Sequence, residues 1–97
     1  LIDPGIGFGK TAGHNLAIID RLNEFRILGF PIVLGTSRKR FIGTVLDIAE
    51  PKDRREGTAA TIALGIERGA HIIRVHDVGE MTRVARMTDA IIRASNV

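Results

Sequence analysis

Four polar residues stand where apolar runs end. Asp3 follows Leu1-Ile2, Lys39 comes soon after Ile32-Val33-Leu34-Gly35, and Arg74 and His76 lie within Ile72-Ile73-Arg74-Val75-His76-Asp77. The cations and the imidazole among them suit a small anionic ligand. Arg74 and His76 are two apart, so on a strand they share one face while Ile73 and Val75 take the other. An Arg facing inward must meet an anion or a carboxylate, because an unpaired buried charge is very costly. An anionic ligand satisfies that demand, and so does an internal ion pair with Asp77 or Asp3. His71, just before the strand, reads as structural or solvent-exposed. No histidine or carboxylate pair has a metal-ligand spacing, so no metal ligand is expected within this segment.

The stretch Gly35-Thr36-Ser37-Arg38-Lys39-Arg40 leaves a strand with small residues and opens a helix with cations. Free N–H groups and the helix dipole already favour anions there. Cations are not the usual preference in a first helical turn, which points to a ligand for Lys39. Arg40 reads as a solvated basic face, and Ser37 as the N-cap.

The glycine-rich turn Asp3-Pro4-Gly5-Ile6-Gly7-Phe8-Gly9-Lys10-Thr11 invites two other assignments. A Walker A loop needs glycine five residues before Gly9, where Pro4 stands. Gly7, Gly9 and Ala12 match a relaxed dinucleotide fingerprint, but the next strand carries no acidic residue at its end. What remains is a turn that places Asp3 and Phe8 over the sheet. An Asp before Pro-Gly also suits a simple turn former.

The elements that must position these groups alternate. Leu1 to Asp3 ends a strand. Asn15 to Leu28 reads as an amphipathic helix with Leu16, Ile19, Leu22 and Phe25 on its stripe, Ile18 widening it and Gly29 as C-cap. Pro31 to Gly35 has the pattern of a strand buried on both faces. A short helix follows over Phe41 to Ile48. Asp53 and Glu56 have capping-box spacing for a helix to about Arg68, stopped by Gly69. His71 to His76 is a third strand. Glu80 to Ala94 is the last helix, with Met81, Val84, Thr88, Ile91 and Ile92 on one stripe.

Alternating strands and helices imply an α/β fold with a parallel sheet. The strand ends near Asp3, Gly35 and His76 are spaced close to the roughly 31 residues per unit of an eight-unit barrel of about 250 residues. A doubly wound sheet would show similar gaps. Three parallel strands alone leave two open edges, so upstream strands are expected to complete the structure. The first residue is Leu1, which reads as a cut end. All 97 residues read as part of one domain, without linker or repeat.

Composition excludes several classes. No cysteine is present, so disulfides and thiolate metal sites are out. A reducing cytosol is compatible with that, and a cytoplasmic location is expected. No apolar run nears the roughly 20 residues that span a bilayer, so no membrane partner is expected. The net charge of +3 raises nucleic acid as a partner. Scattered basic residues and the absence of Trp and Tyr speak against it and for a small anionic ligand.

Three segments together, DPGIGFGK at 3–10, GTSRKRFIG at 35–43 and GAHIIRVHDV at 69–78, resemble the dihydropteroate synthase family. The similarity runs through essentially the whole chain, in the family's order. The resemblance implies the last three βα units of a (β/α)8 TIM barrel, incomplete as given. It implies condensation of (7,8-dihydropterin-6-yl)methyl diphosphate with 4-aminobenzoate, giving 7,8-dihydropteroate and pyrophosphate. By the family pattern Asp3 bonds the pterin's pyrimidine edge, and Lys39 lies between the pterin and aminobenzoate sites. Arg74 packs on the pterin face and reaches the pyrophosphate, which His76 also binds. Phe8 and Gly35 are pocket wall, and Ser37 supports its loop. Lys39, Arg74 and His76 are the expected catalytic groups. Arg40 replaces a serine that some members place near the aminobenzoate carboxylate. Mg²⁺ is implied as cofactor, its asparagine ligand lying upstream of this segment. Sulfonamides are implied as competitors, and a homodimer as the assembly. Lacking the upstream residues, the 97 residues alone are expected not to turn over substrate. Two other readings are a pterin-binding methyltransferase domain and a non-catalytic fragment with a folding or dimer-forming surface.

Overall fold

The computed structural model describes residues 1–7, 9 and 11–94. Three segments run parallel. Strand β1 (Val33–Leu34) pairs with β2 (Ile72–Ile73) in the register Val33↔Ile72 and Leu34↔Ile73. On the other edge of β1, Ile2 forms a parallel bridge to Ile32. The order is thus Ile2, β1, β2, with β1 in the middle. Its residues Ile32, Val33 and Leu34 are buried, as a strand covered on both faces requires. The paired stretches are shorter than their apolar runs suggest. The last bond between β1 and β2 runs from the Arg74 N–H to the Leu34 carbonyl (3.0 Å), and the chains then turn into the loops that carry the polar residues.

Four α-helices flank the sheet among the described residues. Helix α1 covers Ala12–Asp20, opened by Thr11, whose hydroxyl accepts from the His14 N–H. It ends earlier than the apolar stripe predicts. After Arg21 the chain tightens into a 3₁₀ segment, Leu22–Leu28, closed by Gly29 with φ +75°. Three residues per turn stack Leu22 over Phe25, so both still face inward. Leu16, expected on the same stripe, is exposed.

Helix α2 covers Arg40–Leu46 and buries Phe41 and Ile42. Lys39, not Ser37, holds its N-cap position, and no side chain caps it. A 3₁₀ turn (Pro51–Arg54) runs directly into α3 (Arg55–Glu67). The expected Asp53–Glu56 capping box does not form: Arg54 holds the N-cap position without a side-chain bond. The continuous 3₁₀ turn already bonds the Asp53 N–H to the Glu50 carbonyl (3.0 Å), so Asp53 never occupies a cap position. Gly69, φ +109°, ends α3 as expected. Helix α4 (Val78–Ala94) starts two residues early, buries Met81 and half-buries Val84, Thr88 and Ile92, while Ile91 is exposed.

The core gathers Ile6, Ile19, Leu22, Ile32, Leu34, Phe41 and Ile42, with Phe25, Ala70 and Ile73 against it. Helix α3 comes so close to β1 that a β-carbon on Gly65 would meet Leu34 at 2.3 Å. His71 is structural: its Nδ1 accepts from the Ile32 N–H (3.0 Å), tying β2 to the centre of the sheet.

Candidate functional site

Two of the strand-end loops line one cleft of about 230 Å³ with Gly35, Ser37, Lys39, Arg74, Val75 and His76, and the first strand end joins them through Asp3. The alternation along the third segment holds. Ile73 and Val75 are half-buried, while Arg74 and His76 are exposed. Asp3 reaches the rim: its Oδ2 accepts from Arg74 Nη2 at 2.6 Å, and its Oδ1 accepts from the Gly5 N–H at 2.9 Å. Asp3 is therefore both a turn former and the partner of Arg74. The two side chains are 42% and 60% exposed, so the pair is worth about 1 kcal/mol at most. It holds Arg74 in place without locking it away from a ligand.

Gly35 gives the arginine its room. A β-carbon there would lie 3.0 Å from Arg74 Nη2. Ser37 serves the third segment, not a helix. Its Oγ accepts from the His76 N–H (3.1 Å) and lies 2.8 Å from His76 Nδ1. The extended backbone of Lys39 sends its ammonium to the Ile6 carbonyl at 2.5 Å, joining this loop to the glycine-rich turn. Phe8 lies outside the described residues.

Lys39 also lines a second cleft, of about 470 Å³. Arg40, Phe41, Thr44 and Asn15 share that wall. Asn15 went unrecognised in the sequence. It is buried, and its Oδ1 accepts from the Gly7 N–H (2.8 Å), pinning the glycine-rich turn. An Asn among the apolar residues of a helix was the available signal.

Asp77, weighed as a partner for Arg74, pairs elsewhere. Arg38 donates through Nη2 to Asp77 Oδ1 (2.7 Å) and through Nε to Oδ2 (3.3 Å). Arg55 Nη2 stands 3.5 Å from Oδ1. The hydrogen bond from Arg38 holds the Asp77 carboxyl below the usual carboxylate range, against the opposing effect of burial. The folded state therefore binds fewer protons at this group than the unfolded chain does. Its stabilisation is complete above the ordinary carboxylate pKa of about 3.9 and is lost as pH falls through the lower folded value. Between about pH 5 and pH 2, Asp77→Asn should lose less thermal stability than the unaltered protein. Equal losses in the two would contradict this assignment.

Among the described residues no three His, Asp or Glu side chains gather in a way that would hold a metal ion. The described residues therefore do not form a Mg²⁺ site by themselves. No described helix is long and apolar enough to cross a membrane.

The chain is 53% identical to the dihydropteroate synthase of Bacillus subtilis, over all of this chain and 34% of that protein. It is 48% identical to the Synechocystis enzyme, over 96% of this chain and 32% of that one. Among solved structures it resembles a Clostridium difficile dihydropteroate synthase determined in the presence of pteroic acid. That match has TM-score 0.88 and 60% identity, over 92% of this chain and 34% of the other. A Yersinia pestis dihydropteroate synthase in a sulfonamide drug complex gives TM-score 0.91 and 37% identity, over 95% of this chain and 33% of the other. The chain thus spans about a third of the length of these relatives. Residues 1–76, which hold every loop of the cleft, match the model for pterin binding enzymes, and the chain belongs to that family.

Proposed function

We propose that this chain is the last three βα units of the (β/α)8 barrel of a dihydropteroate synthase. The observation that carries the reading is the meeting of Asp3, Gly35, Ser37, Lys39, Arg74 and His76 around one cleft. Ligands of parallel α/β folds bind at the C-terminal ends of strands, where these residues lie. The unpaired outer edge of β2 supports completion of the barrel by upstream strands.

In this reading the aniline nitrogen of 4-aminobenzoate attacks the exocyclic methylene carbon of the pterin diphosphate. The C–O bond breaks, pyrophosphate leaves with the bonding pair, and the nitrogen gives up one proton. An aniline is already a usable nucleophile, so the harder task is to stabilise the departing charge. Preorganised donors do this best. Arg74 and His76 supply a cation and a ring N–H on the same face. Asp3 accepts from the pterin's N–H groups, releasing Arg74 to the ligand. Lys39, which lines both clefts, stands between pterin and aminobenzoate, and Arg40 lines the aminobenzoate side. Sulfonamides would compete there. Mg²⁺ would be held by upstream residues and would neutralise pyrophosphate charge. A methyltransferase has no pyrophosphate to bind and gives Arg74 with His76 no task.

An apolar cleft between α1, α2 and α3, lined by Leu16, Phe41, Val45, Leu46 and Leu64, supports a second copy as partner; the lack of cysteine is compatible with a cytoplasmic location. The test is formation of 7,8-dihydropteroate from the two substrates. The complete enzyme should catalyse it, and the 97-residue chain alone should not. No product from the complete enzyme would reject the synthase reading; product from the chain alone would reject its dependence on upstream residues.

A further inference from the structure

Arg38 has φ +58° and is, with Asp47, one of two non-glycine residues in the left-handed region among those described. Such a conformation persists only where the surroundings over-determine it, and it clusters at functional sites. Each polar group of Arg38 is held. Its N–H donates to the Thr58 hydroxyl (3.0 Å), on a side chain fully buried in α3. Its carbonyl accepts from Arg54 Nη1 (2.9 Å). Its guanidinium grips the buried Asp77 through two bonds.

The residues on either side show what this achieves. Ser37 and Lys39 line the cleft, whereas Arg38 and Asp77 do not. Asp77 directly follows His76. The Arg38–Asp77 bond therefore joins the loop that carries Lys39 to the loop that carries His76, from behind the cleft. We propose that Arg38 and Asp77 are positioning residues, a bidentate clamp that fixes the Lys39 ammonium and the His76 ring relative to each other. Planar two-point geometry is what an arginine–carboxylate pair adds over a single charge contact. Neither residue touches the ligand in the reading given above, on which this inference rests.

The test is a double-mutant cycle in the complete enzyme, combining Asp77→Asn with His76→Ala, since His76 is the clamped group that the reading places on pyrophosphate. It is read both as kcat/KM and as Kd for inorganic pyrophosphate, the second readout needing no turnover. Asp77→Asn should weaken each by about tenfold in the unaltered background and by less than about threefold once the His76 ring is gone, since groups acting through one another are not additive. Arg38→Lys keeps the charge, loses the fork, and should behave the same way; it replaces Asp77→Asn if that variant does not fold. Full additivity in both readouts would overturn the clamp, because a general loss of stability does not depend on His76. No turnover with an intact pyrophosphate cycle would reject the synthase reading while keeping the clamp.

Discussion

Arg74→Ala should lower kcat/KM of the complete enzyme by about 10- to 150-fold, the range set by about 1.5–3 kcal/mol for a hydrogen bond to a charged group. Arg74 lies beside His76 in the cleft and is bonded to the carboxylate assigned to the pterin. Its ion pair with Asp3 is exposed, so its removal leaves no buried charge unpaired and should not move the melting temperature. That separates a ligand contact from a structural one. Lys39→Ala should cost at least about tenfold, roughly 1.4 kcal/mol. Its side chain is half-buried and bound to the Ile6 carbonyl, so a modest loss of stability should accompany it. Near-normal steady-state kinetics in both variants would remove the site assignment, whatever the family.

Leu34→Ala should destabilise the folded protein by about 2–5 kcal/mol. Leu34 is fully buried in the central strand, between the Gly65 backbone of α3 and the Ile32–Ile6 cluster. A domain has only about 5–15 kcal/mol in total, so this one change removes a large share. The measurement is the denaturant midpoint of the complete enzyme at unchanged m-value. A shift worth less than about 1 kcal/mol would mean that the helix and strand close over the gap, and that the contact at Gly65 is looser than the geometry implies.

The α/β alternation and the polar strand ends were legible in the residues because both rest on local signals. Apolar runs such as Ile32-Val33-Leu34 mark a covered strand, and the two-residue spacing of Arg74 and His76 sets their common face. The helix caps were less legible. Ser37 has the right chemistry for an N-cap, but the His76 backbone competes for its hydroxyl, and His76 is distant in sequence. The Asp53–Glu56 spacing is a true local signal overridden by the 3₁₀ turn begun at Pro51. The break after Asp20 left no mark, because Leu22 and Phe25 are three apart and fit either helix type. Asp77 shows the deeper obstacle. Its neighbours in sequence suggested Arg74, whereas the fold supplies Arg38, and no periodicity reports a contact between two loops.

Gly35 narrows the routes by which descendants of this sequence can change. A side chain there crowds the Arg74 guanidinium, which must give way by a few tenths of an ångström, so that codon is tied to the seat of the arginine. Room for heritable shifts in ligand preference lies instead on the outer wall, at Arg40 and Thr44, where side chains face open space and the backbone already accepts them.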